Sequence, residues 1–278
     1  MSVNMINMGK QKMNIGRNAG TIAGVIEVRG ILGDTISQLG IRIVSGEWPV
    51  GSVVTREADL VEELGVSRSV VREAFRILGA KGMIRSRTSD GTRVTPRSSW
   101  RLLDPDVMDW RIRAGGTEDL LRDLLKVRLV LEPSLAYHAT ANATDECREQ
   151  IHEAWRAKQA AVLVPDLTNE ERRALFIETD LEFHRAILSA AQSELLDQLY
   201  SVIEAALGLL IDLQMRARGY TSQMIGMEES NALHATLYEA FSRGDADAAE
   251  SAMRTLIQSA IRDAHEGFLL LQEKEERQ

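Results

Sequence analysis

The stretch TREADLVEELGVSRSVVREAFRILGAKGMI, Thr55 to Ile84, decides how the N-terminal part of the chain folds. Thr55 reads as an N-cap, with Glu57 and Asp59 in the first turn, where carboxylates suit the helix dipole. Leu60, Val61 and Leu64 line one face, and Gly65 stops the helix. Ser67 then caps a second helix, which buries Val70 or Val71 together with Ala74, Phe75 and Leu78. Two short helices joined by a glycine turn, the second opening on small polar and basic residues, make a helix-turn-helix.

Working outward, Leu32, Ile36, Leu39, Ile43 and Val44 share a helical face upstream, and Gly46 is a plausible stop. Downstream of Gly82 the period changes from helical to alternating. MIRSR and TRVTP flank Thr88–Gly91, which predicts a β-hairpin, the wing of a winged helix-turn-helix of three helices and one hairpin. In such modules the N-terminal turn of the second helix meets base edges. Arg68 there has the bidentate reach for guanine O6 and N7, Ser67 and Ser69 suit phosphate or base edges, and Arg72 one turn on suits a phosphate. Gly91, Thr92 and Arg93 on the wing suit the minor groove or backbone.

The chain's 278 residues carry a net charge of −8, but residues 1–97 carry +5 and the remainder −13. That split fits a basic DNA-binding module joined to an acidic regulatory part, and double-stranded DNA as a partner. Five prolines and 5% aromatics favour helices over a barrel. The single cysteine, Cys147, excludes a disulfide framework and a cysteine zinc site. No apolar run is long enough to span a membrane, and the first residues lack a secretory pattern, so the expected location is the cytoplasm. The expected organisation is a disordered leader over 1–27, the winged domain over 28–97, a linker helix within 98–116 capped by Asp104 or Asp106, and an all-α bundle over 117–274. Helical patterns cover 117–141, 145–163, 169–191, 194–216, 225–243 and 246–272.

Within the bundle, Asp180 and His184 stand at i and i+4 on one helix face, and His234 lies on a later helix. A carboxylate and two imidazoles suit Zn²⁺, Ni²⁺ or Mn²⁺. Arg128 sits among Val127, Leu129 and Val130. A cation there needs an anion, either Glu132 at i+4 or a bound carboxylate. A helical metalloenzyme is a competing reading, with Glu182 its only general-base candidate.

The run from Ser45 to Ile84, above all LGVSRSVVREAFRIL, resembles the winged helix of GntR-type bacterial regulators. The resemblance implies dimers on palindromic operators, with DNA contacts at Arg56, Ser67, Arg68, Ser69, Arg72 and Gly91. Many members carry a DNA-contacting arginine where this chain has Ala58, which leaves Arg56 as the nearby alternative. TDLEFHRAILSAAQSELL, with VRLVLEP before it and GDADAAESAM after it, resembles the FCD ligand-binding domain of FadR-type members. That likeness implies a metal held by Asp180, His184 and His234. The family's fourth ligand position is Leu256 here, so a three-ligand site and no metal are both open. It also implies Arg128 as the effector-carboxylate grip, and Asn231, one turn before His234, is a further effector-site candidate. SSWRLLDPDVMDW resembles the subgroup that represses sugar-acid catabolism, which implies an aldonate or hexuronate effector of galactonate type. Lactate or a dicarboxylate is the alternative within the same architecture.

Overall fold

The structure, a computed structural model, describes residues 30–87, 90–217 and 227–276. The expected leader, the hairpin residues Thr88 and Ser89, and the connection expected between the helices over 194–216 and 225–243 lie outside the described residues, apart from residue 217.

The N-terminal part consists of α1 (Ile31–Val44), α2 (Glu57–Leu64), α3 (Arg68–Ala80), β1 (Ile84–Arg87) and β2 (Gly91–Val94). β1 and β2 pair antiparallel, from Ile84 opposite Val94 to Arg87 opposite Gly91. The amphipathic faces read from the sequence converge on one core. Leu39, Leu60, Val71 and Leu78 are fully buried there, with Ile36, Ile43, Phe75, Ile84 and Val94 around them. Burying each large apolar side chain stabilises the fold by about 1.5–3 kcal/mol. The choice between Val70 and Val71 falls to Val71. Ser67 caps α3 as expected, its side chain accepting from Val70 N. Thr55 does not cap α2. The cap position is Arg56, which offers no side-chain bond, so the acidic residues Glu57 and Asp59 are what favour this helix start.

α4 (Pro105–Arg113) follows, capped by Asp104, whose carboxylate accepts from Asp106 N and Val107 N. It joins two cores. Val107 and Trp110 complete the N-terminal core, and Met108 packs into the bundle. Trp110 lies so close to α1 that a Cβ at Gly40 would overlap its ring, and only glycine leaves that space. Gly82 adopts φ +76°, and a Cβ there would overlap the Ser99 carbonyl oxygen. Lys81, after α3, pairs with Asp104 and Asp106 at 2.6 Å each, and Arg111 reaches Asp123 at 3.2 Å. Ion pairs thus tie α4 to the reading helix on one side and to the bundle on the other.

The bundle comprises α5 (Thr117–Asn142), α6 (Asp145–Val162), α7 (Asn169–Ser189), α8 (Glu194–Ala217), α9 (Met227–Ser242) and α10 (Ala246–Glu276). α7 starts at a capping box between Thr168 and Glu171. One core cluster gathers Ala136, Ile151, Trp155, Phe183, Leu237, Phe241, Met253 and Leu256, and a second gathers Leu121, Leu124, Leu181, Ile203 and Leu207. Among the described residues no helix is long and apolar enough to cross a membrane.

Candidate DNA-reading face and buried cluster

The α3 N-terminus is open to solvent. Ser67, Arg68, Ser69 and Arg72 are exposed, as is Arg56 at the start of α2. Ser67 and Ser69 hydroxyls hydrogen-bond each other at 2.8 Å, and Arg72 Nε donates to Glu57 at 2.9 Å. Ala58 is exposed on the same short helix as Glu57. Gly91 and Thr92 occupy the wing. Arg93 does too, but its guanidinium donates to Asp90 beside the turn and to the Gly51 carbonyl at 3.0 Å, so it ties the hairpin to the loop before α2. Arg85 and Arg87 on β1 project into solvent. The sequence reading passed over them because IRSR registers there as strand alternation.

In the bundle, α7 and α9 bring Asp180, His184 and His234 together, all buried, with one ligand atom of each within 4.8 Å of the others. His234 Nε2 lies 3.0 Å from Asp180 Oδ1 and 3.3 Å from His184 Nε2. His234 Nδ1 sits 2.7 Å from the Ser230 carbonyl oxygen and must carry its proton there. His184 Nδ1 lies 2.7 Å from Glu132 Oε2, although too obliquely for a full hydrogen bond. With both outer nitrogens facing acceptors, both Nε2 lone pairs point inward at a carboxylate. Such an electron-rich centre suits a cation, and carboxylates or carbonyls behind ligating imidazoles are the usual support for one. These residues therefore fit a three-ligand divalent site. Leu256 supplies no fourth donor, being buried in the apolar cluster beside it. Burial drives the His234 pKa down to about 4, so this imidazole is neutral at pH 7 and able to ligate.

Lys158 of α6, 2% exposed, places Nζ 2.8 Å from Asp180 Oδ1 and over the Phe176 ring. Burial opposes ionisation of Asp180, but the Lys158 ammonium outweighs it and holds the carboxyl well below its usual range. Spacing alone does not point to Lys158, which lies 22 residues from its partner on a helix with a polar pattern.

Arg128 is buried and pairs with Glu132, Nε at 2.5 Å and Nη2 at 3.2 Å. Of the two readings from sequence, the internal i+4 pair is the one formed. Burial works against the charge on Glu132, but Arg128 and then His184 hold its pKa at about 2. Glu132 thus joins the arginine to the histidine cluster, a role that one-dimensional spacing concealed. Arg128 and Glu132 line a cavity of about 10 Å³ with Tyr200 of α8. Asn231 is partly buried on α9, and among the described residues it makes no hydrogen bond to the cluster.

A winged helix-turn-helix with an exposed basic reading helix, joined through one helix to an all-helical bundle, defines a DNA-binding transcription regulator. The chain belongs to the GntR family of bacterial regulators: residues 34–94 match the family model "Bacterial regulatory proteins, gntR family" and residues 123–259 match the FCD domain. It is a regulator and not an enzyme. It is 32% identical to the galactonate operon transcriptional repressor of Escherichia coli K12 over 81% of this chain and 92% of that protein. It is also 30% identical to the HTH-type transcriptional regulator YieP of the same strain, over 80% of this chain and 90% of that one. Among solved structures it resembles Streptococcus agalactiae GntR, with 24% identity, a TM-score of 0.43, and coverage of 83% of this chain and 99% of that one.

Proposed function

We propose that the protein is a cytoplasmic homodimeric repressor of sugar-acid catabolic genes, released from a palindromic operator when a carboxylate effector enters the bundle. Arg68 reads a base edge, Ser67 and Ser69 contact the site beside it, and Arg72 and Arg56 hold phosphates. On the wing, Gly91 and Thr92 approach the backbone, with Arg85 and Arg87 supplying charge in place of the tied Arg93. The observation that carries the effector reading is the buried Arg128–Glu132–His184–Asp180–His234 chain, far more ionic than a bundle core requires. The effector class is supported by likeness to a galactonate operon repressor along most of its length.

Asp180, His184 and His234 would hold a divalent ion, Zn²⁺ foremost with Ni²⁺ and Mn²⁺ next. When bound, it would balance the cluster's lone pairs and offer open positions to hydroxyl or carboxylate oxygens. Arg128 draws the effector carboxylate, and Asn231, one turn before His234 on α9, is the candidate partner for a hydroxyl. The cavity beside Arg128 is water-sized, so the effector must part α5 from its neighbours, and α4 carries that change to the winged domain. By linkage, the effector binds the DNA-free arrangement more tightly than the DNA-bound one.

A thermal-shift panel of aldonates, hexuronates, lactate and dicarboxylates, with and without chelator, tests this on the whole chain. The proposal expects sugar acids to give the largest upward shift. A larger shift from lactate or a dicarboxylate moves the effector class, and no shift from any acid overturns the effector reading.

A further inference from the structure

Tyr200 stands on α8 within a small apolar cluster with Leu135 and Leu188, and is 5% exposed. Its hydroxyl is wholly buried and makes no hydrogen bond among the described residues. Native proteins seldom leave a buried hydroxyl without a partner, and each exception calls for an explanation. Leu135, Leu188 and Leu196 around it can offer none. The ring would fill its place as well without the oxygen.

The hydroxyl belongs to a residue lining the same cavity as Arg128 and Glu132. At about 10 Å³ the cavity has room for roughly one water. Glu132 occupies the Arg128 Nε and Nη2 and leaves Nη1 unused by that pair. Burial and the Glu132 charge keep Tyr200 in its O–H form. A phenolic O–H donor and a guanidinium nitrogen beside one small space are complementary to the two oxygens of a carboxylate, and a water there is displaced without loss if the ligand reproduces its bonds. Glu132 does not repel such a ligand strongly, because both its oxygens are already paired with Arg128.

We infer that Tyr200 is a specificity residue of the effector site, its hydroxyl and Arg128 together seating one carboxylate of an organic acid between α5 and α8. The inference rests on the carboxylate-effector reading above and adds a contact on a helix that bears none of the metal-ligand candidates. The hydroxyl has no protein partner among the described residues, and the acid supplies one.

Tyr200→Phe tests this in the full-length protein, because it removes only the oxygen. Two readouts are taken, urea unfolding without ligand and calorimetric titration with D-galactonate as the probe. The inference expects an unfolding midpoint equal to or above the parent's, together with a Kd for galactonate weakened about tenfold. A clearly lower midpoint would mean that the hydroxyl is already bonded in the fold, and overturns the inference. Unchanged galactonate binding by the variant overturns it too, while leaving the effector reading intact. If the parent binds neither galactonate nor any other acid of the panel, the effector reading falls and the carboxylate seat falls with it.

Discussion

Replacing Glu132 by glutamine keeps the shape of the side chain and removes its charge. In the parent the carboxylate meets Arg128 through both oxygens and approaches His184 Nδ1 at 2.7 Å, with Arg128 3% and Glu132 1% exposed. The variant leaves a buried guanidinium facing an amide, and breaking a buried pair from one side costs about 3–5 kcal/mol. At roughly 2–4 °C per kcal/mol for a domain of this size, the Tm falls by about 6–20 °C. The pH profile gives a second, independent signature. The Glu132 pKa is lowered from 4.5 unfolded to about 2 folded, so its contribution is fully present above pH 4.5 and is lost as pH falls toward 2. Two to three units at 1.36 kcal/mol each make that contribution roughly 3 kcal/mol in the parent. Glu132→Gln should lack this acid limb. Arg128→Leu combined with Glu132→Leu should recover most of the loss, because no orphaned charge remains. The assay is urea denaturation followed by circular dichroism between pH 2.5 and 7. If Glu132→Gln stays within about 1 kcal/mol of the parent and keeps the same acid limb, the central role given to this pair is wrong.

Arg68→Ala should weaken operator binding by about 1–3 kcal/mol and random-sequence binding by less, and an equal loss on both would make Arg68 a phosphate contact. Gly40→Ala should lower the Tm even though helix preference alone favours alanine by about 1 kcal/mol, because the added methyl overlaps Trp110; a raised Tm would show that α1 and α4 can separate freely. Lys158→Met should bind Zn²⁺ about tenfold or more tightly than the parent in a calorimetric titration, since the ammonium competes for Asp180 Oδ1; unchanged affinity would show that the lysine does not contest the site.

What the sequence made legible is what depends on near neighbours. The bundle helices α5 to α10 emerged from apolar periodicity, and the gaps left between 141 and 145 and between 243 and 246 fall within a residue of where the helices end and begin. Ser67 and Asp104 announced their helices by short-range capping chemistry. Asp180 and His184 sit at helical spacing, and resemblance placed His234 beside them. Hidden were the partners that only tertiary packing supplies. Gly40 looks like an ordinary helix glycine until Trp110, 70 positions later, lies against it. Lys158 is periodic with a polar face, yet α6 turns it inward onto Asp180. Tyr200 carries no signal in the spacing, and its hydroxyl without a protein partner is visible only once α5 and α8 enclose it. The miss at Thr55 is different in kind. Threonine is a good cap by type, but the chain enters α2 one residue later, and tertiary placement of the reading face overrides that local preference.

The most direct test of the account is operator affinity measured by fluorescence anisotropy as a sugar acid is titrated in, on a palindrome selected with the full-length protein. Galactonate or a close aldonate should weaken operator binding at least tenfold. By reciprocity, operator should weaken binding of that acid by the same factor. An operator affinity that stays within twofold across every acid tested would contradict it.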